Sequence, residues 1–203
     1  MALLMAGVSF DAYEIVLRDK PLAMLSASPK GTVPVLVLPD SRVLEESWDI
    51  VAWALSHEGA DAQAQEAWRR SQTPQNQQLL RINDDKFKHH LDRYKYPERF
   101  ANQETANGAH QAQQAHRSQA VQALLEPLDQ CLAEGQFLGG AQPCATDVGV
   151  FPFVRQFAAV DPDWFGTLPL VHVKTWLAHW KQSTLFEACM QKLPSNVRVR
   201  YPG

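Results

Sequence analysis

Every stretch of this 203-residue chain with the alternation of a β-strand lies before residue 45, and every long stretch after it repeats at helical spacing. A chain of that kind folds as a small α/β piece followed by an all-helical one, mostly helical overall. Tyr13, Ile15 and Leu17 alternate with Glu14 and Val16, which predicts a strand. Val33 to Leu38 and Arg42 to Leu44 flank Pro39-Asp40-Ser41, whose turn chemistry joins the two as a hairpin. A helix follows at once from Ser47 to Leu55, with Ile50, Trp53 and Ala54 at roughly helical spacing. Residues 1 to 7 combine strong helix formers with a terminal Gly7 and no capping residue, so they read as the last turns of a helix. A further short helical stretch follows Pro21 and reaches Leu25.

Between about Glu58 and Gln78 the composition shifts to Ala, Gln, Asn and Ser, and few large apolar residues remain. The organisation expected is therefore an α/β domain over 1–58, a linker over 59–75 and a helical domain over 76–203. In that domain Leu79, Leu80, Asn83, Phe87 and Leu91 form one stripe, and Val121, Leu124, Leu125, Leu128 and Leu132 form another. Pro127 interrupts the second stripe, where it removes a hydrogen bond at a cost of ~3 kcal/mol, so a kink is expected there. Val148 to Val160 is apolar nearly all round and marks a buried helix; Leu170 to Trp180 and Leu185 to Met190 complete the domain with amphipathic pieces. No strand signal follows residue 44.

With 45% hydrophobic and 20% charged residues, the composition is that of a folded globular protein. A net charge of -3 argues against a nucleic-acid partner, because duplex binding rests on clustered Lys and Arg. The basic run Lys86 to Lys95 is interleaved with Asp92 and preceded by Asp84 and Asp85, as on a solvated helix face. Apolar runs such as Val33 to Leu38 are far too short to span a membrane, and the first residues lack the pattern of a signal peptide; a cytoplasmic protein is expected. The three cysteines Cys131, Cys144 and Cys189 are odd in number and widely spaced, which predicts reduced thiols in or near the core. His89 and His90 are adjacent and cannot share a helix face, so no metal site is expected.

Two motifs carry the chemistry. Ser28-Pro-Lys-Gly-Thr-Val-Pro-Val-Leu36 enters the hairpin and Glu45-Glu-Ser-Trp-Asp-Ile50 opens the helix. An X-Pro bond adopts cis at a penalty of only ~0.5–1 kcal/mol, and a cis Val33-Pro34 turns the Val33 backbone outward, where an extended tripeptide can pair with it. At the start of a helix, Ser47 and the free backbone N–H groups favour a carboxylate, while Glu46 beside them suits an ammonium. Taken singly, each has a plainer reading: Ser47 as a cap, Glu46 as a first-turn carboxylate, Val33-Pro34 as a strand start.

Together the two motifs resemble the glutathione S-transferase signature. That resemblance implies a thioredoxin-like N-terminal domain and an all-α C-terminal domain. It also implies a homodimer, and glutathione as co-substrate held by Val33, Pro34, Glu46 and Ser47. Lys20, thirteen residues before Val33, falls at the place of a residue near the peptide's other end in omega-like members, although a solvated loop charge is its plainer reading. Phe137-Leu-Gly-Gly140 followed by Cys144-Ala-Thr-Asp147 resembles the opening of the family's buried helix; here Cys144 replaces the usual Ser or Thr cap, and Asp147 is expected to be structural. Phe87 to Tyr96 resembles the first helix of the helical domain in some bacterial members, so Phe87, Tyr94 and Tyr96 are candidates to line an electrophile pocket, with core packing the alternative for Phe87.

The family's thiol-activating Tyr, Ser or Cys follows a first strand and opens a first helix, and this sequence starts at what resembles the end of that helix. The resemblance thus implies an incomplete first domain lacking its first strand and roughly twenty residues, no catalytic residue in the chain, and an exposed edge on the Tyr13 to Leu17 strand. Two functions remain open at this level. One is a transferase passing the glutathione thiol to a small electrophile or a mixed disulfide; the other is a glutathione-binding or interaction protein without turnover.

Overall fold

The computed structural model describes residues 1–100 and 109–201. They form two compact units, one of Met1–Arg69 with Gln182–Gly203 and one of Arg70–Lys181.

In the first unit, α1 (Ala2–Met5) precedes β1 (Phe10–Tyr13), α2 (Leu22–Ala27), β2 (Leu36–Val37), β3 (Val43–Leu44) and α3 (Ser47–Ser56). β2 and β3 form the expected hairpin, with Leu36 opposite Leu44 and Val37 opposite Val43. α3 buries Ile50, Val51, Ala54 and Leu55, and its inner face meets α1. The strand expected at Tyr13 to Leu17 lies earlier, at Phe10–Tyr13. Phe10 and Ala12 turn inward, while Tyr13, Val16 and Leu17 are exposed. Of the residues expected inside, Ile15 is half-buried between exposed Glu14 and Val16, whereas Tyr13 and Leu17 are exposed.

The stretch expected as a linker contains α4 (Ala62–Arg70). Asp61 accepts the first-turn N–H of Ala64 at 2.7 Å, and the inner face is Ala64, Ala67 and the partly buried Trp68. Two alanines leave no bulky stripe to read, which is why periodicity missed this helix.

In the second unit, α5 (Pro74–Ile82) and α6 (Lys88–Lys95) run together through a wide π turn at Asn83–Phe87. Thr73 caps α5 by accepting the Asn76 N–H at 3.2 Å, with Pro74 in the first helical position. α7 (Ala109–Ala120) joins α8 (Glu126–Leu132) through a second π turn at Val121–Leu125, immediately before Pro127. The distortion expected at this proline therefore takes the form of a widened turn upstream of it. α9 (Ala145–Ala158) is the central helix, burying Val148, Val150, Phe151, Val154 and Phe157 against α5, α6 and α11. α10 (Pro162–Thr167) and α11 (Val171–Lys181) complete the unit.

The chain then returns to the first unit with α12 (Thr184–Cys189) and a strand that the sequence reading did not foresee, β4 (Arg198–Tyr201). β4 pairs antiparallel with β1, Phe10 opposite Tyr201 and Tyr13 opposite Arg198. β1 therefore has a strand partner along one edge and none along the other among the described residues, and the described strands form two separate two-stranded sheets. The three cysteines carry free thiols, Cys144 buried and the others partly so, as expected. Among the described residues no helix is long and apolar enough to cross a membrane.

Candidate functional site

The site is built around the start of α3. Glu46 occupies the position before the helix in an extended conformation (φ -107, ψ 138), and no side chain caps the first turn. Ser47 is thus the first helical residue rather than the cap, and its neighbouring N–H groups have no partner within the helix. Because α3 is anchored through Ile50, Val51, Ala54 and Leu55, its first turn faces outward with Glu46, Ser47 and Asp49 exposed.

Two side-chain contacts tie the segment before the hairpin to this helix start. The buried Ser28 hydroxyl donates to Glu45 Oε1, and the Lys30 ammonium forms an ion pair with Glu46. The hydrogen bond and charge of Glu46 hold the Lys30 ammonium above its ordinary pKa. Gly31 takes a positive φ of 63°, and a Cβ placed on it would lie 3.6 Å from Lys20 Nζ, so the Lys20 ammonium rests against the backbone two residues before Val33. The Val33-Pro34 bond is cis, and Val33 is 49% exposed. Lys20, Val33, Pro34, Glu46 and Ser47, widely separated in sequence, thus all belong to this unit. The arrangement presents the Lys20 ammonium, the Glu46 carboxylate shared with Lys30, and first-turn N–H donors to a ligand bearing both signs of charge.

Lys30 escaped the sequence reading. Its partner lies sixteen residues away across the hairpin, and only its place inside the Ser28 to Leu36 motif marks it.

The aromatic candidates separate. Phe87 is fully buried and packs on Phe157 with ring centroids 5.6 Å apart. Tyr94 is 3% exposed, between Phe157 at 5.1 Å and Trp164 at 6.4 Å. Both side chains pack in the core of the helical unit, which is the alternative reading of Phe87. Tyr96 is partly exposed, with the Arg99 guanidinium 3.9 Å and the Lys95 ammonium 4.8 Å from its ring centre.

Asp147 is structural, as expected. Wholly buried, it accepts the Cys144 N–H at 2.8 Å, the Leu138 N–H at 3.1 Å and the Trp176 indole N–H at 2.7 Å. Desolvation by burial raises its pKa, and the same burial, with the Asp147 charge, pushes the Cys144 thiol up to about 12. The helical unit also gathers three imidazoles that the sequence did not connect, His89 and His90 of α6 with His116 of α7. His90 is pushed down to about 4, by burial first and then by His116, His89 and Arg93.

Residues 1–57 match the domain family described as glutathione S-transferase, N-terminal domain, and residues 111–180 match glutathione S-transferase, C-terminal domain. No curated protein matches the chain by sequence. Among solved structures, a glutathione S-transferase from Xylella fastidiosa superposes with a TM-score of 0.75 at 19% identity, over 94% of this chain and 90% of that one. BphK, a bacterial transferase of the same kind solved as a ternary complex, gives 0.71 at 19% identity, over 93% and 90%. A family member from Pseudomonas fluorescens Pf-5, solved with two glutathione molecules bound, gives 0.65 at 18% identity, over 90% and 82%.

Proposed function

Since the chain belongs to the glutathione S-transferase family, we propose that the outward-facing start of α3 and the motif tied to it form a glutathione site. The observation that carries this reading is the juxtaposition of Glu46 and Ser47 with the Ser28 to Val33 segment. The γ-glutamyl end of the tripeptide bears an ammonium and a carboxylate. Glu46 takes the first; the Ser47 hydroxyl and the first-turn N–H groups take the second. The exposed Val33 backbone pairs with the cysteinyl residue by strand addition, and Lys20 holds the glycine carboxylate.

The reaction follows from the same reading: the glutathione sulfur, deprotonated, attacks a small electrophile or the sulfur of a mixed disulfide. Of the candidates Phe87, Tyr94 and Tyr96 for receiving that second substrate, this reading puts the partly exposed Tyr96 first, since the other two are buried. The reading includes a detoxifying role as a cytoplasmic homodimer, and sedimentation tests the assembly. Binding without turnover is the second reading, favoured because every residue gathered here complements the charged ends or backbone of the peptide.

Calorimetry with reduced glutathione tests the site. The Ser47→Ala variant is expected to weaken binding by about 1–2 kcal/mol and Glu46→Gln by about 2 kcal/mol, each through loss of a hydrogen bond to a charged group. Unchanged affinity in both sinks the site. Turnover of a chlorodinitrobenzene electrophile or of a glutathione mixed disulfide by the 203-residue chain then excludes the second reading; binding with no turnover establishes it.

A further inference from the structure

The three-imidazole cluster belongs to the helical unit and does not depend on the glutathione reading. On one helix His89 and His90 point about 100° apart, which is why adjacency alone argues against a shared ligand. α7 changes this by bringing His116 to the pair. Ring centroids lie 5.0 Å apart for His89 and His90, 5.1 Å for His90 and His116, and 5.8 Å for His89 and His116. One ring nitrogen from each lies within 4.8 Å of the other two, and among the described residues this is the one group of three such donors. We infer that His89, His90 and His116 form a binding site for a divalent first-row transition ion, of which zinc is the plainest example.

The chemistry of the donors selects the ion. Neutral imidazole suits zinc, copper and nickel, whereas magnesium and calcium require oxygen ligands, and none joins this triad. A tetrahedral zinc with bonds of about 2.0–2.1 Å places its ligand nitrogens roughly 3.3 Å apart. His90 Nδ1 and His116 Nδ1 are 2.8 Å apart and share a hydrogen bond. Metal entry therefore opens that pair by about half an ångström and draws His89 in, movements within reach of small side-chain rotations. Three protein ligands leave the fourth position to water or an external ligand. His89 is exposed and the others are half-buried, so the ion enters from solvent.

One group opposes it. The Arg93 guanidinium lies 3.1 Å from His89 Nδ1, donates to the His89 carbonyl at 3.4 Å, and stacks 4.2 Å from the Phe100 ring centre. Binding through His89 Nδ1 displaces the first of these contacts, and binding through either ring nitrogen places a second positive charge near the guanidinium. Removal of Arg93 should accordingly tighten the site, an effect that a nonspecific surface site elsewhere does not share.

Calorimetry with zinc chloride on the untagged chain is the test, with circular dichroism confirming that each variant folds. The expected result is a single equivalent bound in the micromolar range, weakened by at least about tenfold in His90→Ala and in His116→Ala. Binding should persist in His110→Ala and strengthen several-fold in Arg93→Gln. Zinc should also raise the melting temperature of the wild-type chain and not that of His116→Ala, because the ion bridges α6 and α7. No binding, binding that survives both His90→Ala and His116→Ala, equal loss in His110→Ala, or no strengthening in Arg93→Gln overturns the assignment.

Discussion

At the scale of single residues, Asp147 and Cys144 decide whether the central helix starts where it does. Asp147 satisfies two backbone donors and one indole at once, so Asp147→Ala strands two buried N–H groups and a part-buried one. The expected loss is roughly 3 kcal/mol or more in chemical denaturation. Cys144 supplies an independent readout. With its pKa at about 12, only about one thiol in ten thousand is ionised at pH 8, and the thiolate is the reactive form. Alkylation at that pH should label the partly exposed Cys131 and Cys189 while sparing Cys144, with reactivity at Cys144 rising as pH approaches 12. In Asp147→Ala, Cys144 labelling should accelerate as the helix start frays; mass spectrometry of the labelled peptides checks both. The structural role of Asp147 was legible from its place three residues after the cap. Its bonds to Leu138 and Trp176 were not, because those partners lie 9 and 29 residues away.

At the scale of elements, the π turn at Val121–Leu125 and Pro127 are read here as one device. In a regular helix the Pro127 ring clashes with the carbonyl of Ala123. One extra residue in the preceding turn moves that carbonyl away and also excuses the missing N–H. Deleting the exposed Gln122 restores regular winding and should cost at least about 3 kcal/mol while Pro127 is present. In a Pro127→Ala background the same deletion should cost distinctly less, and the coupling in this double-mutant cycle isolates the device from the rotated helix face. Additive effects would separate the two features. The sequence showed that Pro127 distorts the helix, since a missing donor is a local property. It could not show the form of the distortion, which depends on keeping Val121, Leu124, Leu125 and Leu128 all buried at once. The π turn at Asn83–Phe87 has no proline, and nothing in its sequence marks it. α3 was legible in nearly its observed extent and the hairpin in its place, though its paired strands are shorter than expected, because turn chemistry and spacing are also local, and the glutathione-site motifs sit on them.

At the scale of the molecule, the two ends of the described chain are joined in one unit. β1 finds its partner in β4, a strand of four residues whose Arg198, Val199, Arg200 and Tyr201 alternate exposed and inward. So short a pattern escapes a reading that needs longer periodicity, and its partner lies almost 190 residues away. A two-stranded pair of this length is marginal alone, so its stability rests on what Tyr201 holds. The Tyr201 ring packs on Phe10 with centroids 5.5 Å apart, and its hydroxyl donates to the Ala188 carbonyl in α12. An aromatic pair adds roughly 0.5–1.5 kcal/mol beyond area burial, and a buried hydrogen bond about 1 kcal/mol. Tyr201→Ala should therefore cost the first unit roughly 3 kcal/mol, the lost ring area included. Hydrogen exchange followed by mass spectrometry localises the effect. Amides of Phe10–Tyr13 should lose protection in the variant, while those of α9 in the other unit keep theirs, since local stabilities differ between units that open separately. Equal loss in both units would show that they unfold as one, and no loss at β1 would show that the strand pair is held by something other than Tyr201.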